Sequence, residues 1–441
     1  MKLRSISLAP LLLVFAIGAV GCAQDDGAAS ATAEALASPA VVDATSLEHK
    51  MLFGYQGWFL TPGDGSPVDG WTHWFRNDTP TAANLTVDLW PDTSELGADE
   101  LFATDLAYAD GSAARLYSAY DAKTVARHFA WMKQAGIDGV SLQRFLSEVQ
   151  DPRFFAARNQ ITRNVQAGAE AEGRVFAIEY DVSGVDDAHL VTWLEDDWKY
   201  LVDTLKITAS PRYLEDGGKP VLYLWGLGFS DGAATSTSAT KLIDWLTKTA
   251  DPPYRVTLVG GVPAHWRTLD GDASTDPAWG PVYRSFDVLS PWTVGRFVDD
   301  AGADAYRATI AADLAAVTAA GRRYMPVVFP GFSWHNLSGG ASNEIPRRGG
   351  AFYWRQVGNA VSAGATMLKT AMFDEVDEGT AMFKLAPTAA QLPTGASFVP
   401  LDADGQALSS DFYLRVGGAA TAMLRGDLPN SSTLPTLPVA P

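Results

Sequence analysis

Eight short runs of apolar and β-branched residues recur along the chain, and this recurrence restricts the possible fold more than any other sequence feature. Segments of helical period or polar loops separate the runs. Strands that are apolar on both faces and alternate with amphipathic helices indicate a parallel sheet covered by helices. The predicted strands are Leu52–Phe59, Gly139–Phe145, Val175–Tyr180, Val221–Trp225, Val256–Gly260, Val288–Trp292, Pro326–Phe329 and Met367–Phe373.

Helix signals occupy most of the gaps between these strands. Asp121 is a plausible N-cap, apolar residues follow it at helical spacing, and Gly136 is a plausible C-cap. Similar spacing predicts helices around 190–205, 242–246, 306–320 and 352–363, whereas residues 263–281 resemble a loop.

Eight units of this kind predict an α/β fold, a closed (β/α)8 TIM barrel forming one domain over residues 49–428. An open doubly wound sheet is the competing arrangement. Its usual Gly-rich phosphate turn after the first strand is absent here.

The first residues have the pattern of an export signal. Lys2 and Arg4 precede an apolar run at 8–20 that is too short to span a membrane, and Cys22, the single cysteine, follows small residues. This arrangement resembles the lipobox of bacterial lipoproteins, in which the cysteine is acylated. It implies a signal peptide over 1–21, a lipid anchor at Cys22 and a place in the bacterial cell envelope, at the outer membrane or cell surface. An ordinary secretory signal with an incidental Cys22 is the alternative.

Two segments lack periodicity. Residues 22–48 are mostly small and polar, which predicts a flexible tether, and residues 429–441 form a Ser/Thr/Pro-rich tail.

The charge excludes one class of partner. The formal net charge is −18, and a strongly acidic chain repels the phosphates of nucleic acids. The six histidines lack the H-E-x-x-H spacing of zinc enzymes, and no metal or other cofactor is predicted. A neutral substrate fits this composition better.

Aromatic and polar side chains collect where the predicted strands end, which is where barrel enzymes build their active sites. Indole rings beside amides, imidazoles and carboxylates suit a carbohydrate. Tryptophans that merely cover the end of the barrel are the alternative. We predict a substrate cleft lined by Tyr55, Trp58, His73, Trp74, Gln143, Glu179, Trp225, His335 and Asn336.

Four carboxylates follow the last predicted strand within five residues: Asp374, Glu375, Asp377 and Glu378. Like charges this close cannot all ionise in a partly dry cleft, so at least one should stay protonated beside an ionised neighbour. Glycoside hydrolysis needs such a pair. A solvated acidic turn and a divalent-cation site are the alternatives.

The segment Glu375-Val376-Asp377-Glu378-Gly379-Thr380 resembles the E-W-H-E-G-T motif of glycoside hydrolase family 99, the endo-α-mannosidases and endo-α-mannanases. The segment 54–59 and the pair His73-Trp74 are similar to that family's aromatic first strand and its His-Trp. The whole body resembles the bacterial group described as family 71/99-like, some members of which carry a xylosidase or arabinosidase label.

The resemblance implies a metal-independent, retaining (β/α)8 hydrolase. It implies that Glu375 is a base on the sugar 2-hydroxyl, leading to a 1,2-anhydro intermediate, and that Glu378 is the general acid and base at the glycosidic oxygen. Val376 and Asp377 stand where the family has Trp and His. A direct two-carboxylate displacement with Glu179 or Asp181 therefore remains an alternative.

The sequence thus predicts a lipid-anchored glycoside hydrolase with Glu375 and Glu378 catalytic, acting on a polysaccharide or glycan such as an α-mannan. The rivals are a surface glycan-binding lipoprotein without turnover and a cation-dependent hydrolase that uses Asp374 and Asp377.

Overall fold

The computed structural model describes residues 41–435 and residue 437. Its strands, in chain order, are β1 (Met51–Tyr55), β2 (Phe102–Ala107), β3 (Ala113–Leu116), β4 (Gly139–Phe145), β5 (Val175–Asp181), β6 (Glu215–Asp216), β7 (Lys219–Trp225), β8 (Thr257–Pro263), β9 (Val288–Trp292), β10 (Arg323–Tyr324), β11 (Val327–Val328) and β12 (Leu368–Thr370). Strands β2 and β3 form a separate antiparallel hairpin, and β6 pairs antiparallel with β7.

The remaining strands form a parallel sheet in the order β10-β9-β8-β7-β5-β4-β1-β12-β11. Strand β10 pairs with β9 and β11 pairs with β12, and only Met325 and Pro326 separate β10 from β11. These two strands are halves of one broken strand that joins both ends of the sheet. Pro326 has no backbone N–H to donate, which accounts for a break at this point. The predicted (β/α)8 barrel is confirmed.

Helices follow the strands around the barrel. They are α1 (Ala122–Ala135), α2 (Pro152–Glu172), α3 (Leu190–Asp203), α4 (Ser236–Asp244), α5 (Trp279–Tyr283), α6 (Asp300–Ala319), α7 (His335–Ser338), α8 (Ala351–Ser362) and α9 (Phe412–Arg425). Asp121 caps α1 through the backbone N–H of Lys123, and Gly136 ends that helix with φ 87°, as predicted. The loop-like segment 263–281 contributes the last residue of β8, Pro263, and the start of the short α5. Within the described residues, none of the helices has the length and apolarity that a bilayer crossing requires.

The packed body begins before residue 49. Val42, Ala44 and Leu47 are buried in the main core, and the backbone N–H of Leu47 donates to Asp216. Part of the tail also lies against the body, because the indole N–H of Trp354 on α8 donates to the carbonyl oxygen of Ser431. The end of the proposed tether and the start of the proposed tail therefore pack on the barrel. The rest of the tether, the signal segment 1–21 with its neighbour Cys22, and the end of the tail lie outside the described residues.

Candidate active site

A pocket of about 480 Å³, open on one side, lies at the carboxyl ends of the strands. Its lining comes from the ends of β1, β4, β5, β7 and β9 and from the loop after β12. The lining residues are Gln56, Trp58, Gln143, Phe145, Glu179, Asp181, Trp225, Trp292, Met372, Glu375 and Glu378. The pocket thus brings together six of the predicted site residues, including both glutamates. Their functional roles remain predictions.

Two predicted residues do not reach the pocket because they belong to the core. Tyr55 and Trp74 are fully buried. The Tyr55 hydroxyl is hydrogen-bonded to Nδ1 of His128 at 2.9 Å, and the Trp74 indole N–H donates to the carbonyl oxygen of Tyr117 at 3.2 Å. The prediction that they line the cleft is wrong, because both point into the aromatic packing between the barrel and α1.

His335 and Asn336 are also placed differently from the prediction. They begin α7, and their backbone N–H groups donate to Asp88 at 2.8 Å and 2.7 Å. The Asn336 amide donates to two backbone carbonyl oxygens, those of Val87 and Ser397. Both residues hold a surface loop together and are absent from the pocket lining, so the prediction that they line this cleft is wrong.

Trp58 lines the pocket with its edge. His73 stacks on one face of the indole at 3.9 Å between ring centroids and 2° between planes, and Phe145 stacks at 5.5 Å and 22°. His73 therefore supports the pocket wall and is not among the pocket-lining residues. Because both faces of the Trp58 ring are covered, the group that can contact a ligand is its indole N–H. This N–H is buried and has no partner among the described residues.

His73 is itself held between two acids. Its Nδ1 lies 3.4 Å from Asp377, and its Nε2 lies 3.9 Å from Glu148. Burial lowers the pKa of His73, but Asp377 and Glu148 outweigh burial, and the net pKa is raised. Burial raises and Arg158 lowers the pKa of Glu148, which falls to about 2. The pair His73 and Glu148 thus favours its charged form and fixes the ring that supports Trp58.

Glu375 is buried, with 3% of the residue exposed. Its carboxyl receives two hydrogen bonds. The Gln56 amide Nε2 donates to one carboxyl oxygen at 2.5 Å, and the Thr380 hydroxyl donates to the other at 2.6 Å. The chain turns back at Gly379, which brings the Thr380 hydroxyl to Glu375. Glycine is needed at this turn, because its φ is +70° and a Cβ there would lie 2.7 Å from the Ser333 backbone nitrogen. Burial, followed by the charges of Glu378 and Asp377, raises the pKa of Glu375.

Glu378 differs from Glu375 in its surroundings. Among the described residues no group donates to its carboxyl, and only its backbone oxygen is bonded, to the N–H of Ser333 at 3.0 Å. Burial, with the charges of Asp377 and Asp181, raises the pKa of Glu378 to about 8. The two donors to Glu375 stabilise its anion and oppose the rise in pKa that burial causes, whereas Glu378 has no such donor among the described residues, so these hydrogen bonds favour the proton on Glu378.

Asp374 and Asp377 do not form a cation site. The carboxylate of Asp374 accepts hydrogen bonds from the backbone N–H groups of Gln56 and Gly57 at 2.7 Å and 2.9 Å, which occupies both oxygens. Asp377 faces His73. Across the described part of the chain, no group of three His, Cys, Asp or Glu side chains is arranged to hold a metal ion. The alternative of a cation held by this pair is therefore not supported by their geometry.

Two further acids face the pair across the pocket, both on β5. Glu179 accepts from the Ser141 hydroxyl at 2.7 Å and forms a buried ion pair with Lys369 of β12. Asp181 accepts from the Gln143 amide at 2.9 Å and from the backbone N–H of Ser183 at 2.7 Å. Burial raises the pKa of Asp181 to about 6.

The predicted cleft omitted five lining residues: Gln56, Phe145, Trp292, Met372 and Asp181, the last of which was named only as an alternative catalytic partner. The strand-end rule could have found the first three, because each lies at or directly after the end of a strand. Met372 has no chemical signal of its own and is placed only by the path of the chain after β12.

Two solved structures resemble this one over most of its length. Both are the GH99 endo-alpha-mannosidase from Bacteroides thetaiotaomicron, one of them in complex with bis-tris-propane. They are 15% and 14% identical in sequence, cover 86% and 87% of this chain and 98% and 99% of their own, and have TM-scores of 0.61. The likeness to family 99 is thereby confirmed as a likeness of fold. No protein-family model and no curated protein matches the sequence.

Proposed function

We propose that this protein is a glycoside hydrolase in which Glu378 is the general acid and Glu375 the base. The observation that carries the proposal is the contrast between the buried Glu375 and the half-buried Glu378, which line one pocket. Glu375 is held by two hydrogen-bond donors, whereas Glu378 has none and a pKa raised to about 8. Glycoside cleavage needs such a protonated carboxyl beside an ionised one.

In the first step Glu378 donates its proton to the glycosidic oxygen as the bond to the anomeric carbon breaks. Glu375 removes the proton of the sugar 2-hydroxyl, and that oxygen attacks the anomeric carbon to form a 1,2-anhydro sugar. In the second step a water opens this ring, Glu378 takes a proton from the water, and Glu375 returns its proton to the 2-oxygen. The outcome is retention at the anomeric carbon.

The competing mechanism is a direct displacement with a carboxylate from β5 as nucleophile. Glu179 is less suited to this role, because its oxygens are bonded to Lys369 and Ser141. Asp181 is bonded by Gln143 and Ser183, and its pKa is raised to about 6. We therefore favour participation by the substrate hydroxyl.

The substrate class follows from the charges in the pocket. Four of its lining residues are acidic, and Lys369, the cation beside them, is already paired with Glu179. A sugar with an acidic or sulfated group would be repelled. Among the described residues, the indole N–H groups of Trp58 and Trp225 and the amide oxygen of Gln56 have no partner, and such groups suit neutral hydroxyls. Because the similar structures are endo-α-mannosidases, we propose an α-mannan as the first substrate to test.

The cellular location is a second proposal, based on sequence alone. Acylation of Cys22 after removal of residues 1–21 would anchor the barrel at the envelope of a bacterial cell, where glycans are accessible. The packed body starts near residue 42, so residues 23–41 would separate the barrel from the lipid.

The experiment is reducing-end release from α-mannan, α-glucan and xylan by the wild-type protein, Glu375→Gln and Glu378→Gln. Each substitution is nearly isosteric, and we expect each to lower kcat at least 100-fold, the lower range for loss of acid or base catalysis. Binding of the cleaved polysaccharide, measured by calorimetry, should persist in Glu378→Gln. A glycan that binds to wild type without any release of reducing ends would instead favour a surface glycan-binding lipoprotein.

A further inference from the structure

The Gln56 side chain is bonded on one side only. It is 3% exposed and lines the pocket. Its amide Nε2 donates to Glu375, whereas its Oε1 is buried and has no partner among the described residues. A buried acceptor without a partner is costly, and the pocket is the place from which a partner can come.

The backbone around Gln56 is fixed by the same loop that carries Glu375. Asp374 accepts from the backbone N–H groups of Gln56 and Gly57. These residues follow β1, and Asp374 follows β12, which is the parallel neighbour of β1 through the pair Phe53 and Thr370. Asp374 directly precedes Glu375. Its contact with the backbone of Gln56 therefore fixes the positions of both residues that form the hydrogen bond between Gln56 and Glu375.

The orientation of the Gln56 amide follows from charge. An amide oxygen 2.5 Å from an ionised carboxylate would be repelled, so the Nε2 must face Glu375. The Oε1 on the same carbon then lies beside the Glu375 carboxylate. A substrate hydroxyl that reaches the carboxylate has a neighbour on the sugar ring that can reach the amide oxygen.

We propose that Gln56 is the positioning residue for Glu375 and that it also binds the sugar, accepting a hydrogen bond from the hydroxyl next to the one that Glu375 deprotonates. This inference rests on the proposed function and adds to it a substrate requirement: two adjacent free hydroxyls on the sugar unit that is cleaved.

The charges around Glu375 make its hydrogen-bond donors important. Its own loop provides Asp374, Asp377 and Glu378, with His73 beyond Asp377, and β5 provides Glu179 and Asp181. Lys369 of β12 is bound to Glu179. Gln56 and Thr380, both neutral, are therefore the groups that stabilise the Glu375 anion directly.

The test is Gln56→Met, which keeps the length of the side chain and removes both amide atoms. The matched control is Gln166→Met on α2, where the amide donates to Glu170 on the outside of the barrel. The first readout needs no substrate. It is the titration of the Glu375 carboxyl carbon by NMR in ¹³C-glutamate-labelled protein, assigned by its absence in Glu375→Gln.

We expect the Glu375 titration to move upward by about one pH unit in Gln56→Met, the size of one lost hydrogen bond to a charged group, and to stay in place in the control. The second readout is kcat and KM on whichever of α-mannan, α-glucan or xylan the wild type cleaves. We expect a fall in kcat of at least tenfold together with a higher KM. Gln56→Asn, in which the amide is too short to reach Glu375, carries the test if Gln56→Met does not fold.

An unmoved Glu375 titration in folded Gln56→Met overturns the positioning role. A KM within twofold of the control overturns the contact with the sugar. If the wild type cleaves none of the three polysaccharides, the proposed function has failed on these substrates, and the NMR titration alone decides whether Gln56 positions Glu375.

Discussion

At the scale of single residues, the chemistry of the pocket depends on which groups surround each carboxyl and less on how many carboxyls there are. Glu375 is buried and Glu378, three positions later, is half-buried, yet among the described residues only Glu375 receives hydrogen bonds on its carboxyl. Burial raises the pKa of both, and the donors then favour the anion at Glu375. The proposed assignment of Glu378 as the acid and Glu375 as the base rests on this asymmetry.

The same asymmetry predicts the pH dependence of activity. The general acid must be protonated, so kcat/KM should fall as the pH rises through the pKa of Glu378, about 8. The base must be ionised, so kcat/KM should also fall on the acidic side as Glu375 takes up a proton. The expected profile is a bell whose alkaline limb lies near pH 8. A flat profile between pH 6 and 10 would contradict the role of Glu378.

The sequence predicted which residue types lie at the strand ends better than it predicted where their side chains point. Trp58 lines the pocket as predicted, but His73 and Phe145 cover the faces of its ring and leave its indole N–H for the pocket. His335 and Asn336 follow the seventh strand, as site residues should, yet Asp88 holds their backbone. Asp88 is 247 and 248 positions away in sequence, and no local pattern reveals such a partner.

At the scale of elements, the barrel depends on a few close approaches between backbones. Helix α9 passes α1 so closely that a Cβ on Gly418 would lie 1.6 Å from the carbonyl oxygen of Ala135. The contact is between two backbones, so it cannot be relieved by rotating a side chain. Glycine is therefore required at this position of the α9 helix for packing.

We predict that Gly418→Ala destabilises the protein by about 2 kcal/mol or more, measured by urea unfolding, because α9 must move away from α1. Gly358→Ala on α8 is the matched control. A Cβ there would meet its nearest atom at 3.4 Å, an ordinary contact, and alanine favours a helix by up to about 1 kcal/mol over glycine. Equal effects of the two substitutions would contradict the account of the α1 contact.

Strand runs were the elements that the sequence predicted best. The bounds of β4 and β9 coincide with the predicted ones, because these strands are buried and end at clear changes of pattern. The seventh strand was predicted as one run at 326–329, whereas the structure divides it around Met325 and Pro326. The two halves pair with different neighbouring strands because the barrel closes at this point. A local sequence pattern does not reveal which strands will be neighbours.

At the scale of the whole molecule, we propose that the barrel acts on neutral glycans at the cell envelope, because its charge is strongly acidic and residues 1–22 have the pattern of a lipoprotein signal. Cys22 is the single cysteine of the sequence, so its removal tests the anchor without disturbing any other thiol. We predict that Cys22→Ser, expressed in a bacterial host with its own signal segment, moves the protein from the membrane fraction to the soluble fraction. Unchanged membrane retention, with no acyl mass on the wild-type N-terminal peptide, would contradict the lipid anchor.

The central claim, that Glu378 supplies the proton to the departing oxygen, is tested most directly by changing how much the leaving group needs that proton. The measurement is kcat/KM of Glu378→Gln relative to wild type on α-mannan and on α-mannosyl fluoride, whose fluoride ion leaves with little help from an acid. We expect a loss of at least 100-fold on the polysaccharide and a much smaller loss on the fluoride. Equal losses on both substrates would contradict it.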